Sequence, residues 1–317
     1  MNQPSWLVDD LLRVESILLD TAGASPHPLV KDPALHLIQA GGKRLRPALV
    51  QAAARSGAPT RATDLSAAAV ELIHLATLYH DDVVDETETR RGVATVHAQW
   101  GTEVAVLVGD YLFAQGCLLG AQAGGDVPSI LAAALADVCE GQIVETAALF
   151  QSDRRTEEYI ETVTKKTAAL FGAACEMGAV TAGVTPEVRA ALLSYGTHLG
   201  IAFQIVDDLL DFVGDPRVTG KTPGTDLDQG VYTLPVLIAT ERDASLKSDL
   251  TTGDHDLERV LDAMRRTGAL ETAHETAGQM AATALGALQV LHVGEPRTTL
   301  ETIVTGVLAQ TPEPLTA

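Results

Sequence analysis

Apolar residues recur at helical spacing along most of the chain, and stretches of period-two alternation are scarce. That pattern predicts an all-α fold. Residues 6 to 20 alternate apolar and acidic positions and predict an amphipathic opening helix. After a Gly/Pro-containing break at 22–28, a short helix is expected from about Pro33. Thr63 reads as the N-cap of a long helix running to Asp85. Further helices are expected from Thr102 to Gln122, from Ser129 to about Phe150, and from Thr156 onward. Thr185-Pro186-Glu187 combines an N-cap, a proline at the first helical position and an acid in the first turn. The helix it opens ends in Phe203-Gln204-Ile205-Val206-Asp207-Asp208-Leu209-Leu210-Asp211. The Gly-, Pro-, Asp- and Thr-rich stretch from Gly214 to Gly230 reads as a mobile loop placed to act as a lid. Thr233-Leu234-Pro235 restarts a helix, two or three amphipathic helices follow to about Val293, and a last short one closes the pattern.

Composition narrows the class. The length of 317 residues is compatible with two domains, yet nothing in the composition divides the chain, so one domain over 1–317 is expected. Ala, Leu and Val dominate and aromatics are 4%, which again favours helices. A net charge of −20 argues against a nucleic-acid surface. The N-terminal residues lack a basic segment followed by an apolar one, and no uncharged apolar run is pure enough to span a bilayer; a cytoplasmic protein without stable membrane insertion is expected. Cys117, Cys139 and Cys175 are widely spaced in apolar surroundings and read as buried small hydrophobes in a reducing compartment.

The chemistry is concentrated in one spacing that occurs twice. Asp81-Asp82-Val83-Val84-Asp85 and Asp207-Asp208-Leu209-Leu210-Asp211 both read Asp-Asp-x-x-Asp at the end of an apolar-periodic run. Positions i and i+4 share a helix face, so Asp81 pairs with Asp85 and Asp207 with Asp211. Carboxylates this close destabilise a helix without a counter-charge, and a hard cation such as magnesium relieves them. A single cluster of this kind is equally a solvated acidic helix end. Two copies, each followed by basic residues, favour an enzyme that holds a diphosphate between acidic helices. Gly41-Gly42-Lys43-Arg44-Leu45-Arg46-Pro47 is either a helix C-cap with solvated charges or an anion clamp, with Lys43 as a point charge and Arg46 as a bidentate fork. It is not a Walker loop, since the glycine spacing is wrong and no strand precedes it. His74 lies two turns before Asp81, on roughly the same face, and reads as a satisfied core histidine or an anion ligand. Arg90-Arg91-Gly92 is expected as a loop beside the carboxylates, and Lys165-Lys166-Thr167 lies on a later helix.

Taken in order, both acidic clusters, the Gly-Gly-Lys-Arg-Leu-Arg-Pro segment and the Lys-Thr pair resemble the trans-polyprenyl diphosphate synthases, over about residues 35 to 240. The resemblance implies a bundle of long, largely antiparallel helices around a central cavity, usually a homodimer. It implies head-to-tail addition of isopentenyl diphosphate to an allylic diphosphate, with three magnesium ions per active site. Asp81, Asp85 and Asp207 would coordinate those ions, with Asp82, Asp208 and Asp211 as further or water-mediated partners. Lys43, Arg46, His74 and Arg91 would hold isopentenyl diphosphate. Arg90, Lys166 and Lys221 would hold the allylic diphosphate, with Thr167 and Gln204 at the reacting carbons. Many members carry a second lid lysine where this chain has Val231.

Other readings fit less well. A class I terpene cyclase also ionises an allylic diphosphate but needs no second diphosphate site. A non-enzymatic subunit of a heteromeric synthase is expected to lack intact acidic motifs. No calcium loop of the Asp-x-Asp-x-Asp-Gly kind occurs. Product length is expected to follow the residues one turn before Asp81, namely Ala76 and Thr77, both small. With Gly116, Cys117 and Gly120 facing them and Phe113 as a wall, these small residues either only allow close helix packing or line a long tunnel; as tunnel lining they predict a product beyond geranylgeranyl, in the heptaprenyl-to-decaprenyl range. A short-chain synthase is the alternative.

Overall fold

The structure, a computed structural model, describes residues 4–214, 223–252 and 256–311. The helices are α1 (Ser5–Ala22), α2 (Pro28–Gln39), α3 (Leu45–Ala54), α4 (Arg61–Val84), α5 (Val96–Trp100), α6 (Thr102–Ala123), α7 (Val127–Ala147) and α8 (Thr156–Val163). They continue as α9 (Ala169–Thr181), α10 (Pro186–Val213), α11 (Thr225–Asp228), α12 (Leu234–Arg242), α13 (Ala244–Thr252), α14 (Leu257–Thr267), α15 (Ala269–Ala287) and α16 (Glu295–Leu308). Among the described residues the strands are confined to one hairpin, β1 (Thr89–Arg90) and β2 (Val93–Ala94). The chain forms two compact units. The first comprises Met1–Leu135, Ala173–Leu193 and Val290–Leu300, and the second Ala136–Gly172, Ser194–Gln289 and Glu301–Ala317.

In the first unit α4 is the central element, packed by α1, α3 and α6. Ala67 through Val70, Leu72, Ile73, Leu75 and Ala76 have no exposed surface. A helix apolar over most of its circumference is stable only when enclosed, and burying each leucine contributes roughly 1.5–3 kcal/mol. The helix starts earlier than Thr63: Thr60 is its N-cap, and its N–H donates to Thr63 Oγ1 at 3.0 Å. α2 likewise begins at Pro28, with His27 Nδ1 accepting from the Leu29 N–H at 3.2 Å, so Pro33 lies inside the helix rather than at its start. There the Tyr79 hydroxyl from α4 donates to the Pro33 carbonyl at 2.5 Å and accepts from the Leu37 N–H at 3.5 Å. A side chain of α4 is thereby inserted into the hydrogen-bond ladder of α2, ahead of Gly41-Gly42.

One expectation is qualified and one corrected. α6 and α7 are long and apolar enough to cross a membrane, with windows of mean hydropathy 1.6 and 1.4, of which 39% and 33% is buried in the structure. The few charges these helices carry do not outweigh their aliphatic content. Of the cysteines Cys175 alone is buried; Cys117 and Cys139 are exposed, because α6 and α7 turn those faces outward.

In the second unit the helix that carries Lys166 is not continuous. Between α8 and α9, Thr164–Ala168 forms one π-helical turn. Single π turns of this kind frequently mark functional sites, since they redirect side chains without breaking the helix. Neighbouring glycines leave the room it needs. A β-carbon on Gly141 of α7 would overlap the backbone of Lys166, and one on Gly200 of α10 would stand 2.6 Å from the Ala168 Cα.

Candidate active site

The first acidic motif closes α4. Asp85 is its C-cap and its N–H donates to the Asp81 carbonyl at 2.8 Å. Asp81 is half-buried and Asp85 exposed, whereas Asp82 is buried and accepts from Arg90 Nε at 2.5 Å. Burial pushes the Asp82 carboxyl above its ordinary range, and Arg90 opposes that shift. A helix C-terminus already carries partial negative charge, so Asp81 and Asp85 add repulsion that a cation would relieve.

The Arg90-Arg91-Gly92 segment is a two-residue hairpin rather than a loop. Arg91 and Gly92 both have positive φ, 54° and 78°, as the tight turn between right-twisted strands requires. The hairpin separates the two arginines. Arg90 meets Asp82, while Arg91 Nη1 donates to the Leu37 carbonyl at 3.1 Å and to that of Gly41.

Arg44 closes the same region from the other side. Its backbone is left-handed, with φ 46°. Its guanidinium donates to Glu15 at 2.8 and 2.9 Å, to Glu71 at 3.1 Å and to the Ile38 carbonyl at 2.9 Å. Lys43 is exposed and Arg46 half-buried. Burial lowers Arg46 to about 10, with Glu71 opposing and Arg91 adding to the fall. His74 is held well below its ordinary value by burial and by Arg46, Arg91, Arg90 and Arg44. A neutral imidazole thus stands among four guanidiniums, with the buried Glu71 close to three of them. Such a pocket favours an anion. Glu71 was not singled out from the sequence; an acid inside an apolar run, one turn before His74, is the signal that marks it.

The second unit holds the other motif. Asp207 is exposed and Asp208 and Asp211 are buried. Asp208 Oδ2 accepts from the Tyr159 hydroxyl at 2.5 Å, and Oδ1 from Gln204 Nε2 at 2.8 Å. Gln204 Oε1 in turn accepts from Thr167 Oγ1 at 2.7 Å. Burial pushes the Asp208 carboxyl well up, and Asp226 adds to that, while the bonds from Tyr159 and Gln204 oppose it. Asp211 Oδ2 accepts the Asp226 N–H at 3.3 Å at the start of α11. Lys166 is paired with Glu145. The Phe203 ring packs on Phe171 with centroids 5.2 Å apart. Lys221 lies outside the described residues. Tyr159 and Asp226 are further members of this site; Asp226 was legible as the acid of Gly224-Thr225-Asp226, while Tyr159 carries no motif signal.

The residues expected to set product length lie in the first unit. Ala76 is fully buried, Thr77 is half-buried with its hydroxyl donating to the His74 carbonyl at 2.8 Å, and the Phe113 ring lies tilted against His80 with centroids 5.3 Å apart. A β-carbon on Gly116 would stand 3.0 Å from the Ile73 side chain and 3.1 Å from the Ala69 carbonyl. That glycine therefore serves close packing of α6 on α4 rather than an open channel.

The site residues fit magnesium by donor chemistry. The donors offered are carboxylate oxygens, yet among the described residues no three potential ligands form a cage. Magnesium usually keeps several waters and is completed by substrate phosphates.

The sequence matches the family described as polyprenyl synthetase over residues 27–266. The chain belongs to that family. It is 38% identical over 304 residues to heptaprenyl diphosphate synthase component 2 of Geobacillus stearothermophilus, covering 92% of this chain and 93% of the relative. It is also 38% identical to a short chain isoprenyl diphosphate synthase of Methanothermobacter thermautotrophicus, covering 95% and 98%. Among solved structures, a decaprenyl diphosphate synthase from Rhodobacter capsulatus superposes with a TM-score of 0.92 at 38% identity over 98% of each chain. The fold is accordingly the all-α isoprenoid synthase fold, and the chain is a prenyltransferase of the polyprenyl synthetase family.

Proposed function

We propose that this enzyme condenses isopentenyl diphosphate with an allylic diphosphate to give a long all-trans polyprenyl diphosphate in the heptaprenyl-to-decaprenyl range. The observation that carries the two-substrate reading is the different partners of the two hairpin arginines: Arg91 donates to the Gly41 carbonyl and Arg90 to Asp82. Lys43, Arg46, His74 and Arg91 hold the isopentenyl diphosphate. Arg90, Lys166 and Lys221 hold the allylic diphosphate. Asp81, Asp85, Asp207 and Asp226 are the carboxylates to hold magnesium, with Asp82, Asp208 and Asp211 behind them. When bound, magnesium draws charge from the departing diphosphate. The allylic C–O bond breaks, the alkene forms the new C–C bond, and the proton lost from the adduct goes to the released diphosphate. Thr167 and Gln204 face the electron-poor carbon with oxygen atoms and keep water from it.

The long product is supported by the heptaprenyl and decaprenyl names of two relatives and by the small Ala76 and Thr77 before Asp81. A homodimer is supported by the outward apolar side chains of α6, with Leu107 67% and Leu118 55% exposed, which a second copy would cover. A cytoplasmic location is supported by three unpaired cysteines. Mass spectrometry of products formed from several allylic starters, with magnesium and with a chelator, tests the reading. Long polyprenyl diphosphates that vanish with the chelator are expected, and arrest at farnesyl diphosphate with isopentenyl diphosphate in excess would overturn the chain length. Sedimentation of the purified chain tests the dimer, a monomer at micromolar concentration being the contrary result.

A further inference from the structure

The hydrogen bonds that lead from Tyr159 to the π turn have a direction. Asp208 accepts at both oxygens, from the Tyr159 hydroxyl at 2.5 Å and from Gln204 Nε2 at 2.8 Å. An amide has one donor end and one acceptor end. With Nε2 committed to Asp208, Oε1 faces the π turn; turning the amide over would set two acceptor oxygens against each other. Thr167 has one hydroxyl proton, and that proton goes to Gln204 Oε1 at 2.7 Å. The usual habit of a helical threonine is otherwise. Thr162 and Thr164 donate to the carbonyls four residues back, at 2.9 and 2.7 Å. Thr167 is released from that habit by the π turn, for which Gly141 and Gly200 leave room.

The geometry points to Tyr159 and Asp208 as positioning residues that fix the hydrogen-bond polarity of Thr167, so that its oxygen offers lone pairs and no proton to the reacting allylic carbon. This rests on the reading that Thr167 lines that carbon. A threonine free to rotate would present its proton part of the time, and a proton facing a developing cation is repulsive. Tyr159 is buried and touches neither substrate by this account; it acts through Asp208 and Gln204.

A double-mutant cycle on the full-length enzyme with saturating magnesium tests the idea. Tyr159→Phe should lower kcat roughly 10-fold, the weight of one hydrogen bond to a charged group, and leave both KM values nearly unchanged. Thr167→Val should lower kcat at least as much, and Thr167→Ser should restore it. In the Thr167→Val background Tyr159→Phe should have no further effect on kcat, because there is no hydroxyl left to orient. Equal loss in both backgrounds, or no loss from Tyr159→Phe alone, overturns the proposal. If Thr167→Val keeps full kcat, the reading of Thr167 at the reacting carbon fails with it; if only Tyr159→Phe is silent, that reading stands and the proposal alone falls. Should Tyr159→Phe not fold, the same cycle between Tyr159→Met and Thr167→Val, which leaves every motif carboxylate in place, decides by the same criterion.

Discussion

At the end of α4, Asp81 and Asp85 reach solvent and Asp82 is held by a guanidinium, whereas in α10 only Asp207 is exposed and Asp208 and Asp211 are buried in hydrogen bonds. The spacing is the same and the surroundings differ. In the first unit the middle carboxylate is balanced by the full charge of Arg90. In the second its hydrogen bonds come from the neutral donors Tyr159 and Gln204, and Asp226 and Asp207 push its carboxyl further up. A carboxylate whose hydrogen bonds come from neutral dipoles keeps more of its charge than one bonded to a guanidinium, and a cation is drawn to it more strongly. Identical motifs therefore need not contribute equally: Asp82 is answered by the charge of Arg90 and Asp208 by neutral donors.

The largest effects should come from the exposed members of each motif. Asp81→Asn and Asp207→Asn should each lower kcat by about 10²–10³-fold in saturating magnesium, the range for loss of a principal electrostatic stabiliser. If the contrast between the motifs holds, raising magnesium should recover more of the Asp81→Asn loss than of the Asp207→Asn loss. Steady-state rates against magnesium concentration measure this; near-normal turnover in either variant would break the assignment.

A second separation concerns substrates. Arg46→Ala should chiefly raise KM for isopentenyl diphosphate, and Lys166→Ala chiefly that for the allylic diphosphate, each by roughly 10-fold or more for a lost charged hydrogen bond. Lys166 already has Glu145 as a partner, so its effect should be the smaller of the two. Initial-rate kinetics showing equal effects on both substrates would dissolve the division into two diphosphate sites.

How much of this was legible in the sequence depended on whether the determinant was local. The two Asp-Asp-x-x-Asp helices, the Gly-Gly-Lys-Arg segment and the Lys-Thr pair announce themselves by spacing, because i and i+4 neighbours are fixed by the helix itself. Start positions failed where a better cap stood earlier: Thr60 displaced Thr63, and Pro28 displaced Pro33. The hairpin at Arg90 was hidden because two-residue strands leave no periodicity. The π turn was hidden for a different reason. It arises where Gly141 and Gly200, distant in sequence, allow neighbouring backbones to approach Lys166 and Ala168. Glu71 and Tyr159 are likewise visible only through the partners that three-dimensional packing gives them. Gly116, read as tunnel lining, proved to seat Ile73.

Product length sharpens the contrast from another direction, since Ala76 belongs wholly to the first unit. Ala76→Phe should shorten the main product while the first condensation continues, because bulk one turn before Asp81 obstructs the prenyl tail and leaves the carboxylates in place. Ala76 is fully buried, so the larger ring also costs about 1–3 kcal/mol in overpacking. Product chain length by mass spectrometry, read beside the thermal midpoint, separates the two consequences. An unchanged product from a folded variant would place the tail elsewhere.

The smallest expected effect tests the electrostatics of the cationic pocket directly. His74 is held well below its ordinary value of 6.5 by burial and by the four surrounding guanidiniums. Below that ordinary value the unfolded chain therefore takes up a proton that the folded chain refuses. The sign follows: His74 contributes no pH dependence above about 6.5, and as pH falls below it the folded state loses stability, by at most about 1.4 kcal/mol per pH unit. Asp82 and Asp208 act in the opposite sense, because their folded values are raised and the folded state binds protons there first. The total slope in acid is thus a balance, and the useful quantity is a difference. Urea denaturation between pH 5 and 8 should show wild-type stability falling relative to His74→Gln as the solution is acidified. Adding isopentenyl diphosphate should shrink that difference, since an anion among Arg46, Arg91 and His74 makes the imidazolium tolerable. Parallel pH profiles for the two proteins would mean that His74 is not held neutral by its neighbours, and the first unit would lose its distinction as the pocket awaiting an anion.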